Sequence, residues 1–148
     1  MLIKYIEIKI EMKPTEIILH CSATKKNADF SIADIDSWHK QRGFKKVGYH
    51  YVIKLDGTIE KGRNEDEIGA HCLQHNAKSI GICYIGGLDK SNKPKDTRTP
   101  QQKQSLIALV KNLMSKYDIP INNIHGHYEF ANKACPCFKI EEFRKELQ

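Results

Sequence analysis

The chain has 148 residues, 40% of them hydrophobic and 28% charged, which suits one globular domain with a core of its own. No stretch reaches the ~18 apolar residues of a membrane helix, which excludes a spanning helix. A net charge of +6 favours anionic partners such as nucleic acid, cell-wall polymer or a membrane surface, although the lysines are spread along the chain as they are on an ordinary soluble surface.

Met1 to Met12 alternates apolar residues (Leu2, Ile3, Tyr5, Ile6, Ile8, Ile10) with Lys4, Glu7, Lys9 and Glu11. A signal peptide would show an unbroken apolar centre and a small-residue cleavage site, so cytoplasmic synthesis is expected. Met1 to Lys13 reads as a first strand or edge ribbon, ended by Pro14. Glu16 to His20 is a short, isoleucine-rich run with the length and branching of a buried strand. Cys21 to Asp29 reads as a surface loop. Ser31 and Asp34 form a capping-box pattern for a helix that places Ile32, Ile35, Trp38 and His39 on one face and stops at Gly43.

Tyr49 to Leu55, the turn Asp56-Gly57 and Thr58 to Lys61 predict a hairpin. Gly62 to Asn76 is loop-like, and Ser79 to Ile85 predicts a central strand closed by Gly86-Gly87. Leu88 to Arg98 is polar and basic and reads as a mobile segment. Thr99-Pro100-Gln101-Gln102 caps a long helix with Leu106, Ile107, Val110, Leu113, Met114 and Tyr117 inward. Ile119 to His125 predicts a turn and short strand, and Phe138 to Leu147 a last helix burying Ile140 and Phe143. The order β-α-ββ-β-α-β-α predicts an α/β domain, a central mixed sheet flanked by helices.

The chemistry concentrates in His127 to Pro136, where an imidazole and the thiol of Cys135 stand eight positions apart with Lys133 between them. His nitrogen and Cys thiolate suit a divalent ion such as Zn²⁺. Two donors do not hold a catalytic zinc. His20, at the end of an apolar run, is the best third candidate, and His125 competes with His127. Three ligands would leave a fourth position open for water, the arrangement of a hydrolase. Five cysteines, an odd number without framework spacing, fit reduced thiols and a metal role better than disulfides.

A series of ordered motifs runs through the chain: Ile18-Leu19-His20-Cys21-Ser22-Ala23-Thr24, Trp38-His39-Lys40, Val47-Gly48-Tyr49-His50-Tyr51 and Asp56-Gly57-Thr58. It continues through Gly69-Ala70-His71, Asn76, Ser79-Ile80-Gly81-Ile82 and Gly86-Gly87, and closes with His127 to Pro136. From about Glu16 to Phe138 the chain resembles the zinc-dependent N-acetylmuramoyl-L-alanine amidases, which include amidase-type phage lysozymes and animal peptidoglycan recognition proteins, and it is nearest the phage branch. The resemblance implies one zinc per chain, held by His20, His127 and Cys135, with His125 outside the ligand set. It matches Tyr49 and Lys133 to the family's two catalytic side chains, and His71 to a position lining the substrate groove. His50 reads as structural.

The implied activity is hydrolysis of the amide between N-acetylmuramic acid and L-alanine, with the glycan strand and stem peptide of peptidoglycan as partners. Neither membrane nor nucleic acid is expected as a partner, since no nucleic-acid fold or aromatic platform is evident. A monomer is expected, with residues 15–148 as catalytic core and 1–14 as an extension or edge strand. A phage or prophage enzyme released at lysis, or exported separately, is the expected setting. Two rival functions follow from the same resemblance: a peptidoglycan-binding module without catalysis, and an added regulatory role in binding an RNA polymerase.

Overall fold

A computed structural model describes residues 11–148; positions 1–10 of the expected N-terminal ribbon lie outside the described residues, and positions 11–15 carry no strand. Met12 is nevertheless part of the core, and its N–H donates to the carbonyl of Asp66 at 2.8 Å. The sheet is built around β1 (Glu16–Cys21), whose six residues are all buried. Parallel neighbours β5 (Ser79–Tyr84) and β7 (Ile124–Gly126) cover both of its edges. A strand enclosed on edges and faces has no solvent side to mark with polar residues, hence the unbroken Ile17-Ile18-Leu19. Beyond β5 lie β3 (Tyr51–Ile53), parallel to it, and β4 (Ile59–Lys61), antiparallel to β3. The order β4-β3-β5-β1-β7 is the expected mixed sheet, with β5 at its centre.

Helices cover both faces. The larger core lies under α2 (Pro100–Tyr117) and α3 (Ile140–Glu146), where Leu106, Val110, Leu113 and Phe143 meet Ile17, Leu19, Ile80 and Ile82. Each such fully buried aliphatic side chain contributes about 1.5–3 kcal/mol. A smaller core under α1 (Ile32–Gln41) joins Ile35 to Val47, Val52, Cys83 and Ile85. Both expected capping boxes form, Ser31 with Asp34 and Thr99 with Gln102. Gln102 does more than cap: fully buried, it donates from Nε2 to the carbonyls of Ile53 and Ile85 at 3.2 and 2.9 Å, closing the ends of two strands.

Two stretches differ from the sequence reading. The loop after β1 contains a two-residue strand, β2 (Thr24–Lys25), paired in parallel with β6 (Gly87–Leu88). The segment expected to be mobile is held at several points. The Asp89 carboxylate accepts from the N–H groups of Ser91 and Lys93. Thr97 Oγ1 accepts from the Gly87 N–H, and the Arg98 guanidinium lies 3.6 Å over the Phe138 ring. Polar side chains here bond their own backbone instead of water, which composition does not reveal. A further long-range tie, Glu65, accepts hydrogen bonds from Tyr51, Tyr117 and Lys116. Burial pushes its carboxyl pKa up, but those three donors outweigh it and bring it to about 2.

Candidate active site

His20 is the fifth residue of β1 and pairs in register with Cys83. Strand alternation sets Ile18 and His20 on one face, away from Ile17 and Leu19 in the larger core. β7 approaches from the other edge and ends at Gly126, after which His127 opens a 3-10 turn, His127–Glu129. Gly126 has no room for a side chain: a Cβ there would come within 2.8 Å of both Ile140 and Tyr128 and 2.9 Å of Pro136. The loop that follows is closed on itself by the Tyr128 N–H donating to the Cys135 carbonyl at 2.8 Å. The Tyr84 hydroxyl holds the next carbonyl, that of Pro136, at 2.6 Å. Chain closure thus returns Cys135 to the end of β1, where its sulfur accepts from the Cys21 N–H at 3.2 Å.

The result is a three-donor cluster. One ligand atom each from His20, His127 and Cys135 lie within 4.8 Å of one another. The His20 and His127 Nδ1 atoms are 3.2 Å apart, and Cys135 Sγ is 3.9 Å from His20 Nδ1. Donors around a tetrahedral ion of zinc's size stand about 3.3–3.6 Å from each other, so the spacing and the borderline-soft donor set both fit such an ion. The electrostatics agree. Burial first, then the imidazoles of His71 and His127, hold His20 well below the usual histidine range. Burial, with Lys133 adding to it, lowers His127. Both rings are therefore neutral at pH 7, with lone pairs free for a cation.

His127 and Cys135 line a cleft of about 620 Å³ together with Tyr49, His71 and Lys133, and His20 lies buried behind them. Leu73, 84% exposed, and Phe130 mark its outer wall. Tyr49 puts its ring centroid 5.1 Å from that of His20. Burial, then the thiols of Cys83 and Cys135, raise its phenol well above the usual range, so it keeps its proton at neutral pH. Lys133 is exposed at the rim. His71 lines the cleft with little exposure, its ring nitrogens turned to His20 and Ser79 at 2.8 and 3.2 Å.

The other histidines are used differently. His50 is fully buried, accepting from the Gly81 N–H at Nδ1 and donating from Nε2 to the Glu67 carbonyl. His125 turns away from the cluster to Glu129, 3.1 Å from Nδ1. His39 also lines the cleft, and sequence reasoning had placed it only on a helix face; its Nδ1 accepts from the Gly48 N–H at 2.9 Å, beside Tyr49. The one signal for it was its place in the Trp38-His39-Lys40 motif.

A cation site of three protein donors, open to a cleft where parallel strands end, is the architecture of a metal-assisted hydrolase. Comparison with known proteins narrows this. The N-acetylmuramoyl-L-alanine amidase family profile matches residues 11–138. The endolysin of Enterobacteria phage T3 is 42% identical over 139 residues, covering 91% of each chain. The structure of the amidase LysC from Clostridium intestinale superposes with a TM-score of 0.79 at 34% identity, covering 98% of this chain and 94% of that one. Drosophila PGRP-LB gives 0.72 at 26% identity, over 86% and 78% of the two chains. With most of its length matched at this level, the chain belongs to the N-acetylmuramoyl-L-alanine amidase family, as the ordered motifs implied.

Proposed function

We propose that the chain is a zinc hydrolase that cleaves the amide between the lactyl group of N-acetylmuramic acid and L-alanine in bacterial peptidoglycan. The observation carrying this reading is the convergence of His20, His127 and Cys135 beside a cleft that His127 and Cys135 line together with Tyr49 and Lys133. Bound zinc supplies Lewis acidity toward the amide carbonyl and a water acidified to a pKa of ~7. The Cys135 thiolate offsets one of the ion's two charges, which leaves a single net positive charge for the substrate. Tyr49, protonated at neutral pH, orients the attacking water or passes a proton to the leaving amine. Lys133 brings a cation to the oxyanion that develops as the amide is attacked, and one such donor is worth ~3 kcal/mol.

The charge of +6 supports encounter with an anionic wall. The phage endolysin among its relatives supports wall breakdown at lysis as the setting. We assign catalysis to residues 15–148, with Met12 sealing the core from outside that span. Digestion of purified peptidoglycan with and without chelator, with products read by mass spectrometry, tests the reading. Free peptides starting at L-alanine, lost with chelator and restored by zinc, are expected. New reducing sugar ends would mean a glycosidase, and binding to the wall without any product would mean a recognition module.

A further inference from the structure

Four groups form a hydrogen-bonded line running away from the three-donor cluster. His20 Nε2 is 2.8 Å from His71 Nδ1, and His71 Nε2 is 3.2 Å from Ser79 Oγ. Ser79 Oγ is in turn 2.7 Å from the backbone carbonyl of His75. A carbonyl only accepts, so the Ser79 hydroxyl donates to it. The Ser79 oxygen then accepts from the His71 Nε2–H, which leaves the His71 Nδ1 lone pair to accept from the His20 Nε2–H. With that proton placed, His20 Nδ1 carries the lone pair, and Nδ1 is the nitrogen that faces His127 and Cys135. The line therefore selects, from a fixed backbone acceptor outward, the His20 tautomer able to ligate.

The His71 ring is also held sterically. A Cβ on Gly81 would stand 2.5 Å from His71 Cγ, and one on Gly69 2.7 Å from His71 Cδ2, so the ring rests directly on two glycines. Its own N–H donates to the Asn76 side-chain oxygen at 2.8 Å, and Asn76 holds the Cys72 N–H as well. Both ring nitrogens are engaged by protein, and the residue is only 9% exposed. It has no ring nitrogen left for a substrate.

We infer that His71 is a positioning residue: through Ser79 and the His75 carbonyl it fixes the tautomer and orientation of His20 for metal binding, and it does not contact the substrate. The inference rests on the zinc reading above. Outer partners of ligating histidines are worth 10–100-fold in metal affinity. The near-isosteric pair His71→Asn and His71→Leu separates polarity from packing, because only asparagine presents an acceptor to the His20 N–H.

The readout is the zinc dissociation constant by chelator competition, alongside steady-state kinetics at saturating zinc and thermal melts of the metal-free proteins. His71→Leu is expected to bind zinc about 10–100-fold more weakly than wild type, and His71→Asn to recover most of that loss. Equal zinc affinity in the two variants would overturn the inference. So would a raised KM at unchanged zinc affinity, which is the signature of a substrate contact. If the leucine variant does not fold, Ser79→Ala decides: it leaves His71 in place but removes its anchor, so weakened zinc binding supports the line and wild-type affinity refutes it. Wild-type protein that takes up no zinc would remove the zinc reading and this inference together.

Discussion

Two histidine clusters occupy the two ends of the same face of β1, and they are built on opposite electrostatics. At the start of the strand the Glu16 carboxylate stands 2.7 Å from His75 Nδ1 and 3.9 Å from His125 Nε2, and Glu129 holds the other nitrogen of His125. Phe130 stacks on His75 at 3.8 Å. At the end of the strand His20 meets His71 and His127 with no carboxylate among their hydrogen-bond partners in the described residues. In the first cluster carboxylates face the imidazoles, which makes it a clamp. In the second, one ring nitrogen of each of His20 and His127 and the Cys135 sulfur converge on one another, a grouping that could hold a metal ion. The residue type is shared; the presence or absence of an acid decides the role.

The strongest way to break the contrast is Cys135→Ser. It removes the sulfur donor from the cluster at the strand's end, and a catalytic zinc there would have only three protein ligands. Loss of bound zinc by elemental analysis, and peptide release below ~1% of wild type, are expected where the ion supplies both nucleophile and Lewis acid. Full activity with stoichiometric zinc would mean that the His20 cluster is not the metal site. Next in size comes Lys133→Ala. It takes away a cation that faces the cluster without ligating, so kcat should fall by about 10²–10³-fold while zinc affinity holds. A fall in zinc binding instead would show that Lys133 shapes the loop and not the reaction.

How far this contrast could be read from sequence depends on the residue. The elements with strong local chemistry were legible: both capping boxes, the long α2 and the apolar β1 follow from pattern alone. The trio His20, His127 and Cys135 was an expectation of the resemblance that the ordered motifs carry, and the structure brings the three together. Alternation could not choose between His125 and His127. Two residues apart on a strand share a face, and the structure parts them only because β7 ends at Gly126 and a 3-10 turn begins. The pairing of β2 with β6 was equally hidden, since two-residue strands exist only through their tertiary partner. The Glu65 tie reaches 14 positions back to Tyr51 and 52 forward to Tyr117, and no local pattern announces it. Likewise the depth of His71 is set by Gly69 and Gly81, whose lack of a side chain is what lets the ring turn inward.

The smallest effect is the sharpest for the comparison. His125→Ala touches the acid-paired cluster at the residue that sequence reading set against His127 as a ligand. Its loss leaves Glu129 still accepting from the Gly126 N–H at 2.8 Å, and Glu16 still paired with His75. The carboxylates are therefore not stranded, and the cost is that of one hydrogen bond, about 1 kcal/mol. For a chain of this size that corresponds to a fall in Tm of about 2–4 °C. Zinc affinity and kcat should match wild type, because no atom of His125 faces the His20 donors. A variant that melts normally but binds zinc weakly would show the two clusters to be coupled through β1. A variant unchanged in every respect would show that the clamp is carried by His75, Glu16 and Phe130 alone, which narrows it to the side of β1 nearest the loop that supplies His71.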